Sequence, residues 1–193
     1  MNAPPHPTSA EAFDAKYRSH PDPWNFAASA YERGRYEATV AALQRSTYAT
    51  AYEPGCSVGE LTAELARRCS RLIATDLSPT AIARARQRCR HFSNVVFHVA
   101  THPTEVPVES LDLIVFSEIG YYFEAPMLGS FARRLAAKLN AGGEFIAVHW
   151  LGHSVDHALH GDAVHQRLKH ALPLAWLGGR RHPGFRIDSW IRS

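Results

Sequence analysis

The chain has 193 residues, of which 46% are hydrophobic and 20% charged, and a formal net charge of +3; this balance fits one globular domain with a buried core. The charge is too mild to imply a polyanionic partner, and no run of 18 apolar residues exists, which excludes a membrane-spanning helix. Cys56, Cys69 and Cys89 form no C-x-x-C pair, so neither a disulfide framework nor a structural zinc site is expected.

Residues 1–12, rich in Pro and small polar side chains, lack the basic-then-apolar pattern of a leader and read as a disordered lead-in to a cytoplasmic protein. Apolar positions at Tyr36, Val40 and Leu43 predict an amphipathic helix over 31–45. A short strand over 49–53 then runs into a glycine loop, Glu53-Pro54-Gly55-Cys56-Ser57-Val58-Gly59. A helix over 60–69 follows, then a strand over 71–75 closed by Asp76. Ser78-Pro79 opens the next helix, with Ser as N-cap and Pro in the first turn. Its basic run Arg84, Arg86, Arg88 and Arg90 reads as a solvated face; without interleaved aromatics it predicts no nucleic-acid partner.

A third strand is predicted over 94–99 and a fourth over 111–117, the latter apolar enough to be buried on both faces. A helix over 126–139 and the Gly142-Gly143 turn lead to a fifth strand over 144–149. Two more strands, over 172–177 and 185–191, are predicted around a Gly-Gly-rich hairpin. Between them and strand five lie His153, His157, His160 and His165, close behind His149. Spacings of four can align imidazoles on a helix, but Gly152 and Gly161 interrupt one, so a substrate-facing polar segment is expected there, and no metal site. The alternation predicts an α/β fold, a Rossmann-like doubly wound, seven-stranded and mostly parallel sheet with one antiparallel strand near the C-terminus.

A strand, a glycine loop and a helix let backbone approach a ligand closely, and Asp76 at the end of the next strand can accept hydrogen bonds from ribose hydroxyls. The spacing Gly-x-x-x-Gly lacks the third glycine of a dinucleotide fingerprint, and no Gly-Lys-Ser/Thr supplies a phosphate loop. That favours an adenosine-bearing cofactor without a pyrophosphate.

In order and spacing, Glu-Pro-Gly-Cys-Ser-Val-Gly, Asp76, Leu-Asp-Leu-Ile-Val-Phe-Ser-Glu and Leu-Asn-Ala-Gly-Gly-Glu-Phe resemble the successive motifs of class I S-adenosylmethionine-dependent methyltransferases. With Phe13, Tyr17, Asp22-Pro23-Trp24, Tyr31-Glu32 and Tyr36, the chain resembles the nodulation protein S type and related bacterial small-molecule enzymes. The resemblance implies a methyltransferase domain over 13–193 whose segment 13–45 is a helical lid. It implies S-adenosyl-L-methionine as cofactor, with Glu53, Gly55, Cys56 and Gly59 along its methionine part, Asp76 on the ribose, Leu77 on the adenine and Ser117 nearby. Many relatives place an Asp after the third strand; here Ala100-Thr101-His102 stands, so Thr101, His102 or backbone alone makes that contact.

At the ends of strands four and five, Glu118, Tyr121 and His149 are the candidate catalytic groups, with His149 expected to open to the cleft as a base. Tyr122, with Trp24, Tyr31 and Tyr36, is the candidate substrate-binding set, although the last three could equally pack the N-terminal helix onto the domain. The expected reaction is methyl transfer to a small-molecule acceptor, an amine of amino-sugar or glycan type. O-methylation of a hydroxylated metabolite and a non-catalytic cofactor-binding module remain open. A DNA-base substrate is excluded, because Ser-Glu-Ile-Gly-Tyr-Tyr stands where amino-methylating DNA enzymes carry (Asp/Asn)-Pro-Pro-(Tyr/Phe/Trp).

Overall fold

The structure is a computed structural model and describes residues 9–100 and 110–193. Seven strands form one sheet in the order β3-β2-β1-β4-β5-β7-β6. They are β1 (Tyr48–Pro54), β2 (Cys69–Asp76), β3 (Val95–Val99), β4 (Leu111–Ser117), β5 (Leu139–Trp150), β6 (Ala175–His182) and β7 (Phe185–Ile191). The first five pair in parallel, and β7 runs antiparallel to both β5 and β6. The strand order reverses between β1 and β4, and a doubly wound sheet binds ligands at that switch, beyond the carboxyl ends of its strands.

Alternation along β4 separates two cores. Ile114 and Phe116 pack with Leu128, Phe131, Val164 and Leu168 of α5 (Ala125–Ala136) and α6 (Gly161–Ala171). Leu113 and Val115 face the other way, against Tyr36, Leu61 and Leu65 of α2 (Ala30–Ala41) and α3 (Glu60–Ala66). On α4 (Pro79–Arg88), Ile82 and Ala85 join Cys56 and Ala74 in a satellite core. Helix α1 (Ala10–Ser19) packs on α4. Cys56, Cys69 and Cys89 are all buried with free thiols.

The predicted architecture is the observed one, and the differences are local. Ser9 caps α1, which starts at Ala10, so the end of the expected lead-in is helical. Helix α6 occupies part of the segment read as interrupted by Gly161. That glycine is the first residue of the helix, where it breaks no turn, and the His160 side chain caps it. Gly178 and Gly179 lie within β6 rather than in the hairpin turn, and β5 extends back through Gly142-Gly143 with a register shift opposite β4.

Candidate active site

The loop after β1 is held by paired backbone bonds: Gly55 N–H and Cys56 N–H both donate to the Thr75 carbonyl, at 2.7 and 2.9 Å. Gly55, Ser57 and Gly59 have φ of 77°, 51° and 86°. A Cβ on Gly55 would overlap the Ile119 side chain, and one on Gly59 would lie 3.0 Å from the Ala85 backbone. Gly55 therefore keeps the loop open to the cleft, whereas Gly59 lets α3 approach α4. Ser57 holds its left-handed conformation by two bonds. Its N–H donates to Asp76 Oδ2 at 3.0 Å, and its Oγ accepts from the Tyr17 hydroxyl at 2.6 Å.

Asp76 also accepts from Ser78 N–H at 2.9 Å through Oδ1. Burial pushes its carboxyl up to about 6, against those backbone donors. Glu53 is buried beneath the loop, accepting from Thr62 Oγ1 at 2.7 Å, and burial pushes it up to about 8.

Glu118 follows β4 with φ 60°. Its Oε2 accepts from Tyr121 Oη at 2.7 Å and its Oε1 from Trp150 N–H at 2.7 Å. Arg35 pairs with both Glu118 and Glu32 while its side chain is only 2% exposed. Arg35 Nε has no hydrogen-bond partner among the described residues.

These groups surround two adjoining cavities. The larger, about 130 Å³, is lined by Asp76, Leu77, Glu118, Tyr122 and an aromatic wall that includes Trp24 and Phe26. The smaller lies beside Glu53, Gly55, Cys56 and Ser117, against Arg35 and Tyr36. Gly55, Ser57, Phe26 and Glu118 border both. Helix α1 borders the larger cavity through Phe13 and Tyr17, and is fastened by Asp14 to Ser78 Oγ (2.6 Å) and by Lys16 to Asp156 (2.5 Å).

Most of the candidate residues singled out in the sequence border these cavities, but four described ones, His149, Tyr31, Gly59 and Tyr121, do not. His149 is fully buried rather than open to the cleft, and burial holds its imidazole well below the usual range. Alternation along β5 puts His149 on the face of Phe145 and Ala147, where Phe116, Tyr121, Gly120 and His165 of α6 cover it. Tyr31 packs edge-on against Phe185, 6.0 Å between ring centres, and borders neither cavity. Gly59 serves helix packing. Thr101 and His102 lie outside the described residues. Tyr121 is buried behind Glu118, its ring stacked 3.8 Å from that of His157.

Arg35, Ser57, Phe26 and Ile119 were missed as site residues. A buried arginine has no periodicity signature, although Arg35 stands beside Tyr36 and four residues after Tyr31. Among the described residues, no group of three or more His, Cys, Asp or Glu could hold a metal ion.

The family model for nodulation protein S matches residues 11–169. The chain belongs to that family. Nodulation protein S of Sinorhizobium fredii is 38% identical over 104 residues, 53% of this chain and 48% of that protein. The chain thus spans about half the length of the curated relatives it matches. A candidate methyltransferase from Pseudomonas syringae is 37% identical, with a TM-score of 0.70 over 84% of this chain and 99% of its own. The N-methyltransferase NodS of Bradyrhizobium japonicum, solved with S-adenosyl-L-homocysteine, shares the fold of this family member. Its TM-score is 0.80 at 21% identity, over 95% of this chain and 98% of its own. The fold is that of class I S-adenosylmethionine-dependent methyltransferases. No helix among the described residues is long and apolar enough to cross a membrane.

Proposed function

We propose that the chain transfers a methyl group from S-adenosyl-L-methionine to a small-molecule amine of amino-sugar type. The observation that supports this reading is the presence of Asp76 in the larger cavity, beside the open loop at Gly55, and of Arg35 at the smaller one, its Nε without a hydrogen-bond partner among the described residues. A buried guanidinium donor without a partner suits a carboxylate, and the cofactor's methionine end carries one. Asp76 can accept from ribose hydroxyls, and Leu77 can pack on the adenine. Glu53, Gly55, Cys56 and Ser117 would border the methionine part.

When bound, the cofactor supplies an electrophilic sulfonium methyl, so the chain's task is to align an uncharged nitrogen and exclude water. Trp24, Phe26 and Tyr122, with the Glu118 carboxylate, form an aromatic and acidic wall that attracts an ammonium. Glu118 is the proton acceptor at that wall: its Oε2 receives the Tyr121 hydroxyl and can exchange it for an amine proton. His149 has no access to that wall and drops out as the base. The N-methyltransferase activity in the name of the Bradyrhizobium relative supports an amine over a hydroxyl.

Thermal shifts with S-adenosylmethionine, S-adenosylhomocysteine and NAD test the cofactor, in wild type and Asp76→Ala. Stabilisation by both sulfur ligands, lost in Asp76→Ala, is expected; a response to NAD alone would overturn the reading. Labelled methyl transfer to glucosamine and short amino-glycans, against catechol and sugar hydroxyls, tests the acceptor. Transfer to hydroxyls alone would make the chain an O-methyltransferase, and binding without transfer would make it a non-catalytic module.

A further inference from the structure

The wall formed by Glu118, Ile119 and Tyr122 is tied to β5 by Glu118 N–H on the Val148 carbonyl and Trp150 N–H on Glu118 Oε1, and to a buried imidazole by one further bond. Gly120 N–H, in the short turn Gly120–Tyr122, donates to His149 Nε2 at 3.0 Å. A Cβ on Gly120 would stand 2.7 Å from that nitrogen and 3.0 Å from Phe116, so the turn sits directly on the imidazole. His149 Nδ1 lies 3.2 Å from His165 Nε2, His165 Nδ1 lies 2.6 Å from Asp188 Oδ2, and Arg186 pairs with the same carboxylate at 2.9 Å. The His165 and Asp188 side chains are both fully buried.

The direction of this chain is fixed from both ends. A carboxylate paired with Arg186 only accepts, so His165 carries its hydrogen on Nδ1 and leaves Nε2 as an acceptor. His149 must then donate from Nδ1, which leaves its Nε2 lone pair free for Gly120 N–H. A hydrogen on His149 Nε2 would instead oppose the Gly120 hydrogen at a fully buried position, leaving both donors unpaired at a cost.

We propose that Asp188, His165 and His149 are positioning residues for the acceptor: together they lock His149 in its Nδ1–H tautomer and so hold the turn bearing Glu118 and Tyr122. This rests on the methyltransferase reading only for its catalytic consequence. Three buried polar side chains on β7, α6 and β5 cost desolvation that apolar residues would avoid, and a role in placing the turn accounts for them. It also separates the histidines after β5. His149 and His165 belong to this relay, while His160 caps α6 and His157 stacks on Tyr121.

The first test needs no variant. In long-range proton–nitrogen spectra of wild type labelled with nitrogen-15 histidine, two imidazoles should show Nδ1–H and a hydrogen-free Nε2. Finding either of these two buried rings as Nε2–H overturns the proposal. In His165→Phe, the Gly120 amide resonance should move and labelled methyl transfer should fall roughly tenfold to a hundredfold in kcat. Affinity for S-adenosylhomocysteine, read by calorimetry, should stay within about threefold, because Asp188, His165 and His149 themselves line neither cavity and the cofactor contacts at Asp76, Leu77 and Gly55 lie on other elements. An unmoved Gly120 resonance, or an unchanged kcat, also overturns it. If wild type methylates nothing, the functional reading fails by itself, and the tautomers and the Gly120 resonance still decide whether the relay exists.

Discussion

Glu53→Gln offers a quantitative test of the loop, because it removes a titrating group and preserves a hydrogen bond. The buried carboxyl rises from 4.5 to about 8, so at about 1.4 kcal/mol per unit its ionisation in the fold costs on the order of 4–5 kcal/mol. The folded-state value is raised, so Glu53's contribution is fully present below about pH 4.5 and is lost as pH rises through about 8. Asp76 shifts in the same direction at lower pH, from 3.8 to about 6, and that slope is common to wild type and variant. A glutamine carbonyl still accepts from Thr62 Oγ1, so the variant should lose only Glu53's share. Urea unfolding at half-unit steps from about pH 5 to about pH 8 should show the variant gaining on wild type by up to about 1.4 kcal/mol per unit. A flat difference curve across that window would refute the reasoning. A cationic ligand in the smaller cavity would draw Glu53 into its ionised form, so binding of S-adenosylmethionine, whose sulfonium is positive, should release a proton in wild type and not in the variant. Calorimetry in buffers of different ionisation enthalpy reads that proton directly.

Gly55→Ala forces a left-handed backbone and overlap with Ile119; a stability loss of about 1–3 kcal/mol is expected, with at least tenfold weaker S-adenosylhomocysteine binding by calorimetry, and wild-type affinity would contradict it. Arg35→Met leaves Glu118 and Glu32 without their buried counter-charge, and should cost about 3–5 kcal/mol in urea unfolding. Adding Glu118→Gln should recover part of that loss; two simply additive losses would show that Arg35 and Glu118 are not coupled. Tyr17→Phe removes the bond to Ser57 and should cost about 1 kcal/mol, with faster amide exchange in α1; unchanged exchange would mean that this bond does not hold the helix.

The sheet was legible because its signals are periodic. β4 was placed to the residue by Leu-Asp-Leu-Ile-Val-Phe-Ser, and Ser78-Pro79 marks the start of α4 in the sequence as it does in the fold. The glycine loop and its turn were legible because glycines and a strand-end acid recur at a spacing that backbone geometry demands. Contacts assembled from distant segments were not. Arg35 meets Glu118 from 83 positions away, and His165 meets Asp188 across 23. His149 illustrates the limit: alternation gives its strand and its face, but its burial depends on the Gly120 turn and on His165 of α6, which cover that face from elsewhere in the chain. The glycines at 161 and 179 misled for a related reason. Gly161 opens a helix, and Gly179 makes room for the Asp188 side chain.

Cys56 lies within the glycine loop, 4% exposed, and burial raises its thiol well above the ordinary range. A thiol so placed is inert while the loop is closed, since thiolate chemistry needs both ionisation and access. Its rate of alkylation therefore works as a clock for loop opening, read by mass at Cys56 against the buried thiols of Cys69 and Cys89. Occupancy of the neighbouring cavity should slow that clock, giving a measure of ligand residence that requires no knowledge of the methyl acceptor.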